Sequence, residues 1–159
     1  MENDNIIFIG MDTHKESSDV AYALEGRDNV PVHFGKIQSK KTAVQKMVRH
    51  FQSKFPRAPL HFCYEAGPCG YWMSRLISSM GHSCYVVAPS LIPKKPGNRV
   101  KTDKRDSLML TQLLKQGDLN SIYVPSEEDE AIRDISRARE AAMLDINCTT
   151  IRLNLFNLS

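Results

Sequence analysis

Apolar residues along this chain cluster into five short runs, and each run predicts a β-strand. The first, residues 6–11 (IIFIGM), is continuously apolar, as is typical of a strand buried on both faces. The other four are bounded by turn-forming residues, and they are Asp19–Leu24, Val32–Ile37, Leu60–Tyr64 and His82–Ala88. The short turns between the first three runs indicate an antiparallel meander.

Amphipathic stretches between and after these runs predict three helices. Ser39 can cap a helix that continues to about Phe55, and a proline follows it. The second helix is expected over Gly70–Met80 and the third from Thr102 to about Gln116, each followed by a glycine. These helices alternate with the fourth and fifth strands.

The order of elements predicts the fold class. Three strands in series, followed by helix, strand, helix, strand and helix, indicate an α/β protein whose mixed sheet is covered on both faces. This is the order of the ribonuclease-H-like sheet, with strand one central and strand four beside it. A Rossmann domain would alternate from the first strand, and the sequence has no G-x-G-x-x-G.

The chain changes character near residue 120, so we expect a sheet domain over residues 1–120 and a linker with a long helix over 121–159. From Ser126 onward there is no Gly or Pro, and Ser126 with Asp129 resembles a capping box. One helix of this length would extend roughly 50 Å. Its apolar stripe predicts a partner helix from a second copy of the chain. The alternative is that the helix folds back on its own domain.

Composition and charge narrow the class of protein. The chain has 159 residues, of which 42% are hydrophobic and 25% charged, as expected for one globular domain. The four cysteines lack zinc-site spacing, and no signal peptide or membrane-length apolar run is present. We therefore expect a cytoplasmic protein with no membrane partner.

The net charge of +3 is mild, but its distribution is uneven. Six basic residues lie in the stretch PKKPGNRVKTDKRD and are candidates for nucleic-acid binding: Lys94, Lys95, Arg99, Lys101, Lys104 and Arg105. The alternative is a solvated run of charge without a ligand.

Four acidic residues are the candidates for catalysis and metal binding. Asp12 and Glu65 lie at the ends of the first and fourth apolar runs. Asp103 and Asp106 lie three apart at a helix start, so they project from one face of that helix. Because strands one and four are predicted neighbours, all four carboxylates can converge at one edge of the sheet.

Such a convergence requires a counter-charge. Two carboxylates about 4 Å apart repel by about 4 kcal/mol at an effective dielectric of about 20. Mg²⁺ or Mn²⁺ would neutralise them, and two such ions would stabilise a phosphoryl displacement. Taken singly, Asp12 can be a turn residue, Asp103 a helix-start residue and Asp106 half of a surface ion pair. His14 and Lys15 can assist at phosphate or lie in a solvated loop.

Three motifs carry a family resemblance. GMDTHK near the N-terminus, YEAGPCGY in the middle and KTDKRDS before a leucine-bearing helix resemble the DEDD transposases of insertion sequences. Relatives of these transposases include DNA invertases and bridge-RNA-guided recombinases. The resemblance covers about residues 6–117, and AIRDISRAREAAMLDI resembles the Arg-rich coiled-coil segment of the family.

The resemblance implies a fold like that of the Holliday-junction resolvases, with Asp12, Glu65, Asp103 and Asp106 as ligands of divalent metal. It also implies recombination of DNA in a multimer, guided in some members by a structured RNA. Family members carry a further C-terminal domain with a nucleophilic serine. No residue here matches that serine, so we expect the chain to be part of a longer protein.

The sequence is also compatible with features of two function classes other than a catalytic transposase domain. A non-catalytic module that binds nucleic acid and oligomerises, acting as a regulator, would use the basic stretch and the long helix. A sugar-kinase-like or actin-like ATPase shares the opening strand and aspartate, but it needs small residues after that aspartate. His14 and Lys15 stand there instead and disfavour this class.

Overall fold

The five predicted strands form one mixed sheet in a computed structural model that describes residues 5–67, 69–92 and 102–156. The strands are β1 Ile7–Thr13, β2 Ser17–Leu24, β3 Val32–Gln38, β4 Leu60–Glu65 and β5 Ser83–Val87. Their order is β3-β2-β1-β4-β5, with β1 antiparallel to β2 and parallel to β4. The ribonuclease-H-like order predicted from the sequence is confirmed.

Helices cover both faces of this sheet. They are α1 Lys41–Lys54, α2 Trp72–Ser79 and α3 Asp103–Gln116, and a further helix, α4 Glu127–Phe156, follows them in the chain. On one face, Tyr22 of β2 packs edge-on against Phe51 of α1, with ring centroids 5.4 Å apart. On the other face, Gly10 of β1 meets Thr111 of α3. Successive strand residues point to opposite faces, so Asp12 lies on the α3 side with Gly10.

The predicted bounds differ from the observed ones mainly at the ends of elements. β1 continues through Thr13, so Asp12 lies inside the strand rather than after its end. The second helix begins at Trp72, two residues later than expected, because Gly67, Cys69 and Gly70 form a turn before it. Ends of helices and strands are the positions where local sequence signals are weakest.

The predicted cap at Ser39 is wrong. The residue before α1 is Lys40, and no side chain caps this helix. The Ser39 hydroxyl donates instead to the carbonyl of His14 at 2.8 Å, and its oxygen lies 2.8 Å from the Ser18 hydroxyl. Since a hydroxyl has one hydrogen, Ser18 must be the donor to Ser39. Ser39 therefore fixes the turn between β1 and β2.

Helix α3 lies unusually close to β1. A methyl group added to Gly10 would lie 2.5 Å from the Thr111 nitrogen and 2.8 Å from the Ser107 carbonyl oxygen. The Thr111 hydroxyl accepts a hydrogen bond from the Gly10 amide at 3.1 Å. Leu110 of the same helix is buried in a cluster with Cys63 of β4 and Val87 of β5. The first turn of α3 is thereby held over the C-terminal end of β1.

The chain divides into two compact units, residues 1–123 and residues 124–159. The second unit is dominated by α4, whose 30 residues correspond to about 45 Å. Ser126 begins this helix as predicted, because its hydroxyl accepts a hydrogen bond from the Asp129 amide. Within the described ranges, none of the helices is both long and apolar enough to cross a membrane.

The approach of α3 to β1 generates a stability prediction. Gly10→Ala should lower the free energy of unfolding by about 1–3 kcal/mol, because the methyl group must push the backbone of α3 away. Chemical denaturation of the purified protein measures this change. Gly67→Ala is the matched control, since its added methyl group would meet only the Glu65 carbonyl oxygen at 3.8 Å. Equal stability of both variants would contradict the close contact.

Candidate metal centre

Asp12 and Glu65 reach the site from neighbouring parallel strands. Met11 of β1 pairs with Tyr64 of β4, so the next residue on each strand is a carboxylate. Both carboxylates therefore lie at the C-terminal end of the sheet and on the face that carries α3. Asp12 is buried, with 7% of its surface exposed, whereas Glu65 is half-buried.

The other two carboxylates come from the start of α3. Thr102 precedes the helix, and its hydroxyl accepts a hydrogen bond from the Arg105 amide at 3.4 Å. Asp103 and Asp106 lie in the first turn, where the helix dipole favours negative charge. Because residues three apart share a helix face, both project in one direction.

One cavity collects all four acidic residues. Its walls come from the end of β1, the end of β4 with the turn after it, and the first turn of α3. It is lined by Asp12, Thr13, His14, Glu65, Ala66, Gly67, Asp103 and Asp106. The structure thus brings together the four carboxylates that the sequence singled out.

His14 links two of these carboxylates directly. Its Nε2 atom lies 3.3 Å from Asp12 Oδ2 and 3.4 Å from Asp103 Oδ1. The backbone of His14 is tightly held: its amide donates to the Ser17 carbonyl, and its own carbonyl accepts from Ser39. The Cys69 thiol donates to the same carbonyl at 3.1 Å. The backbone of His14 is therefore fixed, and 51% of its side chain remains exposed to solvent.

The electrostatics of the cavity follow from burial and crowding. Burial raises the pKa of Asp12, and the nearby Asp106, Asp103 and Glu65 raise it further, while His14 opposes them. At Asp103, desolvation acts in the same upward direction, but it is outweighed by His14 and Lys36, so the pKa is lowered. The ionised form of Asp12 is thus disfavoured in the cavity, whereas the ionised form of Asp103 is favoured.

The donors in this cavity fit a hard divalent cation. One ligand atom each from Asp12, His14 and Asp103 lies within 4.8 Å of the others. Ligands about 2.1 Å from a shared ion lie about 3–4 Å apart, which is close to the spacings observed here. The carboxylate oxygens suit Mg²⁺ or Mn²⁺, whereas an imidazole nitrogen is a ligand more typical of transition metals than of Mg²⁺. Burial, and after it the neighbouring carboxylates, raise the pKa of Asp12, and a bound cation would favour its ionised form.

The predicted nucleic-acid-binding residues are only partly described. Lys94, Lys95, Arg99 and Lys101 lie outside the described residues. Lys104 and Arg105 lie on the exposed side of the first turn of α3, between the two acidic residues. Their charges are therefore presented beside the cavity rather than inside it.

Sequence reasoning missed a second group of charged residues beside the cavity. Asp19 of β2 lies directly opposite Asp12 in the sheet, and Lys36 of β3 lies opposite Asp19. The Lys36 ammonium is 3.5 Å from Asp103 Oδ2. No motif marks these positions, because they meet only when three strands are in register. The sequence analysis named His14 but did not predict its contacts with Asp12 and Asp103. Its position two residues after Asp12 was the available signal for the first contact.

Comparison with known proteins identifies the family. The model for DEDD transposases of the IS110 type, described as a transposase family, matches residues 9–155. The chain belongs to this transposase family. The family resemblance drawn from the three motifs is confirmed.

Two transposase relatives match nearly the whole chain. The y4qE protein of Sinorhizobium fredii, to which transposase function has been ascribed, is 42% identical over 151 residues. The transposase for insertion sequence element IS1533 of Leptospira borgpetersenii is 33% identical over 154 residues. These alignments cover 95% and 96% of this chain but 38% and 43% of the two relatives. The chain thus spans about two fifths of the length of the transposases it matches.

Among solved structures, the transposase domain is similar to RuvC of Thermus thermophilus, with a TM-score of 0.49 and 9% identity. It is also similar to T. thermophilus RuvC in complex with a Holliday junction substrate, with a TM-score of 0.47 and 8% identity. Each alignment covers 74% of this chain, and 100% and 99% of the respective RuvC chains. The strand order of the sheet, rather than this likeness, identifies the ribonuclease-H-like fold.

The pKa of Asp12 generates a prediction for the metal-free protein. Because the folded pKa lies above the ordinary value of 3.8, the stability that Asp12 contributes is fully present below 3.8 and is lost as pH rises through the folded pKa. In EDTA at neutral pH, Asp12→Asn should therefore be more stable than the wild type. This advantage should shrink as the pH falls toward 3.8.

Denaturant titrations over this pH range measure the difference. The control is Asp118→Asn, which removes a carboxylate from an exposed position outside the cavity and should change stability little at any pH. An Asp12→Asn protein that is less stable than the wild type in EDTA at neutral pH would contradict the crowding of charge around Asp12.

Proposed function

We propose that this chain is the catalytic domain of a transposase that cleaves and exchanges DNA strands with the help of divalent cations. The observation that carries the proposal is the single cavity in which Asp12, Glu65, Asp103 and Asp106 meet. Membership in a DEDD transposase family supports this use of the cavity. The substrate is proposed to be DNA, as expected of a transposase.

Each proposed ligand has a distinct supporting feature. Asp12 is buried between neighbouring carboxylates, so it is the ligand that gains most from a cation. Asp103 and Asp106 stand on one helix turn and Glu65 ends the adjacent strand. His14, within 3.4 Å of both Asp12 and Asp103, is proposed as an additional ligand. Mg²⁺ or Mn²⁺ held by these groups would supply charge stabilisation to the entering and leaving oxygens of a phosphodiester.

Nucleic acid is proposed to lie along the basic residues next to the cavity. Lys104 and Arg105 are exposed on the same helix turn as the two acidic residues. Lys94, Lys95, Arg99 and Lys101 precede them in sequence and are proposed to extend this contact. Such residues bind phosphates without reading bases, so they suit DNA and a structured guide RNA equally.

Assembly through α4 is also part of the proposal. Several apolar side chains on this helix are more than half exposed: Ile132, Ile135, Met143, Leu144, Ile146 and Ile151. A helix with this pattern gains stability by pairing with another, and a second copy presents the same surface. Sedimentation equilibrium that finds only monomer at micromolar concentrations would argue against it. The nucleophilic serine of the family is proposed to lie in a further domain of the complete protein.

Metal binding tests the proposal directly. Calorimetry should detect binding of Mn²⁺ and Mg²⁺ by the wild type and a loss of this binding in Asp12→Asn with Asp106→Asn. The double variant removes a central carboxylate and a helix-start carboxylate, but it keeps nearly the same side-chain volume. The matched control is Asp118→Asn with Glu127→Gln, which removes two charges from exposed positions outside the cavity. Equal binding by all three proteins would reject the metal site and would favour the alternative function, a non-catalytic module that binds nucleic acid.

The basic stretch gives a separate prediction for nucleic acid. Replacing Lys94, Lys95 and Arg99 together by Ala should weaken binding to DNA and lower the dependence of log affinity on log salt by about 0.9 per lost phosphate contact. Gel shifts with duplex DNA and with a structured RNA, at several salt concentrations, measure both effects. The matched control replaces the exposed Lys41, Lys46 and Arg49 of α1. Equal losses in both triple variants would show a general effect of net charge.

A further inference from the structure

An aspartate, a histidine and a lysine form a cluster on the α3 side of the sheet, beside the acidic cavity. Asp19 is only 5% exposed and lies opposite Asp12 on the neighbouring strand. Its Oδ1 atom is 2.9 Å from His33 Nε2, and its Oδ2 atom is 3.4 Å from the Lys36 ammonium. None of these residues lines the cavity itself. The cluster therefore needs a role other than metal ligation.

A β-bulge builds this cluster. Val20 pairs with Gly35, but the next residue, Ala21, pairs with His33, so β3 carries one extra residue at this point. Gly35 has φ of +142°, a conformation that side chains other than glycine rarely adopt. Residues three apart on a regular strand face opposite sides, and the extra residue brings His33 and Lys36 to the same side. The backbone is thus shaped to aim both side chains at Asp19.

Lys36 extends from this cluster to the acidic site. Its ammonium lies 3.4 Å from Asp19 Oδ2 and 3.5 Å from Asp103 Oδ2, so it bridges a buried carboxylate and a candidate metal ligand. Asp19 Oδ2 is buried and has no hydrogen bond in the structure, so the ammonium is its nearby compensating charge. A positive charge in this place holds the Asp103 side chain, and it also opposes the approach of another cation.

We propose that Lys36 is a positioning residue that acts as a built-in counter-ion of the acidic site, holding Asp103 in the metal-free protein and competing with the cation that binds there. The inference rests on the proposed function, because it takes the cavity to be a metal site. Asp19 is the second charged partner of Lys36. When Asp103 turns toward a cation, Lys36 keeps a charged partner, so Asp103 is released without leaving the ammonium unpaired.

Competition between Lys36 and the cation predicts that removing the Lys36 charge strengthens metal binding. Lys36→Gln should bind Mn²⁺ about two- to fivefold more tightly than the wild type, the size expected for an exposed ion pair. Lys36→Arg keeps the charge and should return the affinity to the wild-type range. Lys54→Gln is the matched control, since it removes one lysine charge beside Tyr22 on the opposite face of the sheet and should have no effect. Calorimetric titration with Mn²⁺ alone measures all four affinities.

Loss of Lys36 leaves Asp19 buried without its ammonium partner, so the single variant can lose stability. The same comparison is therefore made in a second background: Asp19→Asn with Lys36→Gln against Asp19→Asn alone. The double variant should again bind Mn²⁺ two- to fivefold more tightly. Unchanged or weaker binding in both backgrounds would mean that Lys36 only neutralises Asp19, and the proposal would be overturned.

A metal-free measurement separates this proposal from the proposed function. In EDTA, the stabilities of the wild type, Lys36→Gln, Asp103→Asn and the combined variant form a double-mutant cycle. The two substitutions should be non-additive if Lys36 holds Asp103, and additivity would overturn the contact. A wild type that binds no Mn²⁺ would overturn both the proposed function and the competition between Lys36 and the cation. The double-mutant cycle would still test the contact between Lys36 and Asp103, because it is measured without metal.

Discussion

The absence of a side chain at Gly10 is the constraint on which the site depends. It lets α3 lie against β1 so closely that a methyl group there would overlap the Thr111 nitrogen and the Ser107 carbonyl. This contact fixes the distance between α3 and the sheet. It therefore fixes the position of the first turn of α3, which carries Asp103 and Asp106. A separation larger by the size of one side chain would move these carboxylates out of reach of Asp12.

The charges gathered by this packing explain the polar residues around them. Burial and three neighbouring carboxylates raise the pKa of Asp12, so its ionised form is disfavoured unless a positive charge lies nearby. Two basic side chains lie beside these carboxylates: His14 contacts Asp12 and Asp103, and Lys36 contacts Asp103. Each has a further contact outside the cavity: the His14 carbonyl accepts a hydrogen bond from Ser39, and the Lys36 ammonium lies 3.4 Å from the buried Asp19. Ser39, Asp19 and Lys36, none of which is a proposed ligand, therefore support the site.

Much of the fold was predictable because its signals are local. Apolar runs gave the five strands, and the order of elements gave the sheet with β1 at its centre. The acidic pair at the start of α3 was readable because a three-residue spacing fixes a helix face. The predicted cap at Ser39 was wrong because a hydroxyl takes its best available partner, and here that partner is the His14 carbonyl, 25 residues earlier in the chain.

The sequence by itself determined the strands, the helices, the family and the four acidic candidates, since each depends on residue type and on short spacing. Only the tertiary structure decided that His14 bridges two of these carboxylates and that Lys36 reaches Asp103. The contacts that His14 and Lys36 make with Asp103 join residues far apart in the chain. Strand register and helix approach are set by packing across the whole sheet, so no local pattern encodes them.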